Sequence, residues 1–366
     1  MLSRMTIGII VLIVLLGLIL LVARAFGIAY KVSPMAMRGT MLGALLVPLF
    51  FILSILGGRT GGIPPIVYTV INIIAGVVYY LFLSGIILLV LQLLAKLLHA
   101  SVSPAFATLL LIAAIAASVV GLFQARTIVV RDYTVAIPNL PAELDGKQAV
   151  LVSDTHFGLI NHKKFSDKIV AEILSLHPEF VLHAGDFYDG PKTNTEPLTE
   201  SWQKLTAQIP VFYAPGNHET YGDYNAFIES IKKANVTVLD NKVTDYKGIQ
   251  IAGITYSEGR TPAEAKAHIE NLQMNTTEPA ILINHPPTSL EAASTKGFSL
   301  MVSGHTHNGQ FWPNEYLVRK IYGNYTVGLN KFKDMNVLTS AGVGTFGPPM
   351  RLFNPAELVV ITLKKQ

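Results

Sequence analysis

The sequence predicts two parts: an all-α transmembrane region of about four helices over residues 1–125, then an α/β domain over residues 126–366. Three observations carry this reading. Long apolar stretches without a single acid fill the first 125 residues. Beyond them, short continuous apolar runs alternate with segments of helical period. Every conspicuous polar motif in the second part directly follows one of those runs, as loops do at the strand ends of layered α/β domains.

The membrane region comes first in the chain. Its charges are Arg4, Arg24, Lys31, Arg38, Arg59 and Lys96, and the first acid of the whole chain is Asp132. Crossing the roughly 30 Å hydrocarbon layer takes about 20 apolar residues of helix. Stretches at about 5–23, 41–57, 65–98 and 104–124 qualify or nearly so. The first has no small-residue cleavage site behind a short apolar stretch, so it is an anchor rather than a removed signal. Pro48 in the second is tolerable where neighbouring helices cover the freed carbonyl. The third exceeds one crossing and is expected to tilt, protrude, or break near Gly76 or Gly85. Asn72, Gln92 and Lys96 lie inside it, with plain anchoring favoured over a pathway. These spans make the chain a multi-pass protein of the cell membrane. Positive loop residues nearly cancel across the bilayer; Arg24, Lys31 and Arg38 in the first loop lean the domain to the extracytoplasmic side.

The second part begins almost without a linker, so it should sit on the bilayer surface. Thr127–Arg131 alternates as a strand does. Ala149–Val152, Phe180–Leu182, Val211–Tyr213, Ala280–Ile283 and Ser299–Val302 are short apolar runs of the kind buried on both faces. His162–Leu176, Pro197–Ile209 and Tyr224–Ala234 carry apolar residues at helical spacing, and 240–254 and 335–363 add strand-like segments. Six of the 28 Lys and Arg lie before residue 126, so the rest of the chain is slightly acidic against its 24 Asp and Glu. Nucleic acid is therefore no expected partner, because its footprint needs clustered Lys and Arg on the folded domain. The absence of Cys excludes disulfides and thiolate metal sites.

Five motifs hang on the ends of the apolar runs: Asp154-Thr155-His156, Gly185-Asp186, Gly216-Asn217-His218-Glu219, His285, and Gly304-His305-Thr306-His307. Residues two apart, as in Asp154/His156 and His305/His307, can aim at one ion from a turning backbone. Oxygen and imidazole donors without thiolate favour Mn, Fe or Zn in an open site. The inventory fits two divalent ions side by side, with Asp186 as the natural bridge, and paired ions about 3.5–4 Å apart cleave phosphate esters. A lone Asp-x-His is usually chance, and His285 before Pro286-Pro287 could simply end a strand; order and shared placement lend them weight. His99 fits a membrane interface, His162, His177 and His268 exposed helix positions, and His183 the sheet interior. Trp312 is expected to pack under the metal loop.

On these motifs the sequence resembles the calcineurin-like metallophosphoesterases over essentially all of residues 126–366. The resemblance implies a four-layer α-β-β-α sandwich. It gives one metal Asp154, His156, Asp186 and His307, and the other Asp186, Asn217, His285 and His305. His218 would stabilise phosphate charge or protonate the leaving group, and Asp189 would orient it. Ser303–Gln310 with Pro313, and the closing Gly344–Arg351, are similar to a bacterial membrane-associated branch, which usually has Gly at the place of Asn308. Protein phosphatases of the superfamily carry Arg where this chain has Gly190 and Pro215, so a diester or diphosphate is the better substrate expectation. With a bilayer as partner, that phosphoester is expected to be lipid-linked, a nucleotide–lipid being one candidate. The competing reading is a non-catalytic scaffold or regulatory domain on a membrane transporter or sensor.

Overall fold

A computed structural model describes residues 4–44, 63–190, 194–256 and 262–366. The chain divides into two compact units, 1–121 and 122–366.

In the first unit, helix α1 spans Arg4–Ala29 and α2 spans Pro65–Leu97, and α3, Pro104–Gln124, begins in it. Among the described residues, α2 and α3 are long and apolar enough to cross a membrane. Within α1, Leu16–Ala29 is a shorter apolar helix. The stretch expected at 41–57 lies mostly outside the described residues. α2 is continuous over 33 residues, with no break at Gly76 or Gly85. Gly85 is instead a packing notch, since a Cβ there would collide with Val22 of α1. Ala25, Ala29, Leu88 and Ala107 form a small buried cluster. Gln92 donates to the Ala25 carbonyl (2.8 Å) and Asn72 to that of Tyr68 (2.9 Å). Gln92 is thus spent on packing α2 against α1, as polar side chains in apolar helices often are, while Asn72 is satisfied within α2 itself.

The second unit is built on two six-stranded sheets. The first has the order β1-β12-β2-β3-β4-β5, with β1 Ile128–Ile137, β2 Gln148–Val152, β3 Phe180–His183, β4 Val211–Tyr213, β5 Thr237–Val238 and β12 Ala356–Lys365. The second has the order β10-β11-β9-β8-β7-β6, with β6 Lys242–Tyr246, β7 Ile249–Gly253, β8 Ala280–Ile283, β9 Leu300–Ser303, β10 Gly328–Phe332 and β11 Met335–Thr339. The inner faces share one core in which Leu151, Leu182 and Ile361 of the first sheet meet Ile251, Ile283 and Val302 of the second. Helices α4 (Lys163–Ser175), α5 (Glu196–Thr206) and α6 (Tyr224–Lys233) cover the outer face of the first sheet through Ile169, Trp202 and Phe227. On the outer face of the second, α7 (Pro262–Asn271) and α8 (Leu290–Lys296) pack through Ile269 and Ala293. A short α9, Glu315–Tyr322, has no buried residue.

Side chains in β2, β3, β4, β8 and β9 are buried on both faces apart from the first residue of β2, which is why these strands are continuous apolar runs rather than alternating ones. β2, β3 and β4 run parallel, as do β7, β8 and β9. Their carboxyl ends therefore point the same way within each sheet. β12 runs antiparallel to β2, Val359 opposite Leu151, and β1 runs parallel to β12, Ile128 opposite Ala356. The amino end of β1 is consequently at the edge where β2 ends. The polypeptide enters this unit at the edge that carries the motif loops.

Candidate metal centre

Each singled-out side chain sits in a loop just after a strand. β2 delivers Asp154 and His156; β3, Asp186 and Asp189; β4, Asn217 and His218; β8, His285; and β9, His305 and His307. Asp154, His156, Asp186, His305 and His307 have positive φ between 46° and 71°. Such backbone is uncommon for side-chain-bearing residues and clusters at functional sites. Asn308 shares it (φ 45°, ψ 36°), which is where a glycine would rest comfortably and where Asn is the best-tolerated substitute. Its side-chain amide donates to Asn354, whose own amide returns a bond to the Asn308 carbonyl (2.9 Å).

The loops converge in two groups. In one, Asp154 Oδ1 lies 3.3 Å from His307 Nε2 and 3.9 Å from His156 Nε2, and those two nitrogens are 3.1 Å apart. In the other, Asp186 Oδ2 is 3.1 Å from His285 Nε2, which is 3.3 Å from His305 Nδ1. Asn217 Oδ1 is 2.9 Å from the same His305 nitrogen. Asp186 Oδ2 also lies 3.8 Å from His156 Nε2, so this carboxylate stands between the groups. Asp154, His156 and His307 form one set of donors within 4.8 Å of one another, and Asp186, His285 and His305 form a second.

The donor chemistry fits two divalent cations. Opposed imidazole nitrogens repel unless a proton or a cation lies between their lone pairs, and two such pairs occur here. The backbone leaves room for the donors as well. A Cβ at Gly216 would collide with the Asp186 carboxylate, and one at Gly304 with Ser153 Oγ and Asp154 Oδ2.

The electrostatics are those of buried opposite charges. Burial would raise the Asp154 and Asp186 carboxyls, yet His307 beside the first and His285 beside the second hold both below the usual carboxylate range. His285 moves up to about 9 because Asp186 outweighs its burial. Burial takes His305 and His307 down to about 4, with His285 adding to the effect at His305 and Asp154 opposing it at His307. His183 falls to about 3 through burial. It is walled by Phe187, Trp202 and Tyr213, the interior position expected of it.

A third group joins His156, Asp189 and His218. The Asp189 carboxylate was expected to orient His218, but Oδ1 is closer to His156 Nδ1 (3.1 Å) than to His218 Nδ1 (3.6 Å). His218 Nδ1 instead meets the Asp189 main-chain carbonyl at 2.9 Å. As a donor there, Nδ1 keeps the proton and leaves Nε2 free.

Two positioning residues were quoted in the motifs without a role. Glu219 is fully buried and accepts from the amides of Gly216 (2.7 Å), Tyr188 (3.1 Å) and Asp186 (3.2 Å), joining the two loops that carry Asp186 and Asn217. Arg351, also fully buried, binds the carbonyls of Ala341 (2.8 Å) and Gly344 (2.6 Å), with Nη2 3.1 Å from His307 Nδ1. A carboxylate three residues after a loop glycine, and a lone arginine in an otherwise apolar closing segment, were the available signals. Trp312 departs from expectation: it is 40 % exposed, near the 67 % exposed Phe353, rather than packed under the loop. His162 and His177 are exposed, His268 is half-buried, and none belongs to these groups.

Comparisons with known proteins agree with this architecture. Residues 148–309 match the model of the calcineurin-like phosphoesterase family. The chain is 32 % identical over 252 residues to an uncharacterized metallophosphoesterase of Campylobacter jejuni, covering 65 % of this chain and 64 % of that one. It is 28 % identical over 238 residues to one of Helicobacter pylori, covering 64 % and 63 %. It is 28 % identical over 251 residues to a transmembrane protein with metallophosphoesterase domain of Danio rerio, covering 64 % and 57 %. The chain thus spans somewhat under two thirds of the length of these relatives.

Proposed function

We propose that this chain, which carries a calcineurin-like metallophosphoesterase domain, is a membrane-anchored dimetal hydrolase of phosphate diesters or diphosphates. The observation that supports it most is the Asp186 carboxylate between two histidine-rich groups, Oδ2 lying 3.8 Å from His156 and 3.1 Å from His285. In this reading Asp154, His156, Asp186 and His307 hold one ion, and Asp186, Asn217, His285 and His305 the other. When bound, two ions of the Mn, Fe or Zn class polarise the phosphoryl oxygens and bring the pKa of a water from 15.7 to about 7.

The chain's own groups do the rest. His218, fixed through Nδ1 by the Asp189 carbonyl, turns Nε2 toward the leaving group and in its imidazolium form delivers a proton there. Glu219 and Ser153 hold the ligand loops in register, Ser153 Oγ donating to Asp154 Oδ2. At positions 190 and 215 there is Gly and Pro rather than a guanidinium that could clamp a phosphate dianion, which favours the less charged diester.

In the same reading residues 1–125 are a four-span membrane region and residues 126–366 the catalytic domain at an extracytoplasmic surface. The two helices long enough to span support the anchor. A lipid-linked phosphoester fits a domain whose motif loops and chain entry share one edge, because tethering raises the effective concentration of membrane substrates. The test is turnover of a chromogenic phosphodiester by the full chain with added Mn, Fe or Zn, alongside Asp186→Asn and His218→Asn. Both variants should lose turnover; wild-type rates in either overturn the roles. A reporter fused after Gln366 tests sidedness.

A further inference from the structure

Outside the metal centre, one cavity combines positive charge with a defined place in the fold. It has a volume of about 580 Å³ and is lined by Arg126, Ile160, His162, Lys164, Phe165 and Lys168. Among the described residues, no carboxylate lies within ion-pair distance of Arg126, Lys164 or Lys168, whereas neighbouring Lys163 is neutralised by Asp167 (3.0 Å). Arg126 is held in place by its guanidinium over the Phe165 ring (5.0 Å) and by a bond to Asn161 Oδ1 (3.0 Å). Lys168 Nζ donates to the Arg126 carbonyl (2.7 Å). The amino end of α4, with no side-chain cap and no acid in its first turn, opens beside these groups and adds to the positive field.

The cavity's position fits a lipid. Arg126 is two residues past the end of the apolar helix α3, at Gln124. The Gln124 side chain accepts from the Phe353 amide (2.8 Å), which puts exposed Phe353 and its neighbour Trp312 on the same edge. Exposed aromatic rings beside unpaired cations are the usual make-up of a membrane-contacting surface. The same edge connects to the metal loop: Asn161, bound by Arg126, donates its own amide to the Thr155 carbonyl (3.1 Å), between Asp154 and His156.

We propose that Arg126, Lys164 and Lys168 form a binding site for the phosphate headgroup of an anionic membrane phospholipid, with Trp312 and Phe353 entering the adjacent bilayer. The site holds the motif-bearing edge of the domain against the membrane; this rests on the membrane attachment proposed above. Each lysine is expected to contribute roughly fivefold to lipid affinity.

The full chain in nanodiscs tests this without relying on turnover. It has two tryptophans, Trp202 fully buried and Trp312 exposed, so quenching by brominated acyl chains reports on Trp312. Quenching should be strong in phosphatidylcholine mixed with phosphatidylglycerol and weak in phosphatidylcholine alone. It should fall in Lys164→Gln/Lys168→Gln, whose exposed side chains can change without disturbing the core, and vanish in Trp312→Phe. Quenching that ignores both lipid charge and the lysine substitutions overturns the proposal. So does an equal response to soluble glycerol phosphate in phosphatidylcholine discs, which assigns the cavity to a free phosphate. The lysine variants should hydrolyse a soluble diester at the wild-type rate. If no form of the protein has turnover, the quenching result still decides the lipid site.

Discussion

The two oxygens of Asp186 have separate surroundings: Oδ1 accepts the His218 amide (2.9 Å), while Oδ2 faces His156 and His285. Glu219 supports that arrangement by accepting from main-chain amides of Gly216, Tyr188 and Asp186. In Glu219→Gln the new NH₂ would oppose an amide donor, so metal affinity should drop roughly 10–100-fold, as for other residues that orient ligands; calorimetric metal titration measures it. His183 gives a pH prediction. Its folded value of about 3 lies below the unfolded value near 6.5, so an unfolded chain binds the proton first. Its contribution is full above about 6.5 and is lost as pH falls toward 3, on the order of 5 kcal/mol in all. His183→Phe should flatten stability against pH over that window in thermal melts, and an unchanged slope would place the titrating group elsewhere.

Among the elements, the buried parallel strands were legible because burial on both faces removes any need for alternation. α4, α5 and α6 were legible from their spacing. Elements with little buried surface left no such trace: β5 has two residues and α9 buries none. α8 was also missed, its helical period being carried by a short stretch, while α7 was anticipated only through His268 and not as an element. Where period and burial agree, energetics follow. Ile169 of α4 is fully buried in the core shared with Trp202 and Tyr213. Ile169→Ala should cost about 2–5 kcal/mol from lost burial and the cavity left behind, read from the denaturation midpoint.

For the whole molecule, the candidate metal-binding groups lie where the ends of two sheets meet, and their buried carboxylates and imidazoles are held close by folding itself. Cations that bind the folded state alone add RT ln(1 + [L]/Kd), about 2.7 kcal/mol at a hundredfold excess over Kd. Chelation should therefore lower the melting temperature of the full chain, and restoring Mn or Zn should raise it again. A melt insensitive to chelator would argue against resident ions.

Residue identity and order alone determined the donor chemistry, the strand-end placement of the motifs and the apolar character of the first 125 residues, because each is a local property of the chain. Tertiary structure decided the pairings. The Asp189 carboxylate lies nearer His156 than His218 because backbone direction, not sequence distance, sets what a loop side chain meets. Glu219, Arg351 and the Arg126 cavity acquire meaning only when strands far apart in sequence are laid side by side. The antiparallel pairing of β12 with β2 brings the chain's entry point to the edge where the candidate donor side chains gather.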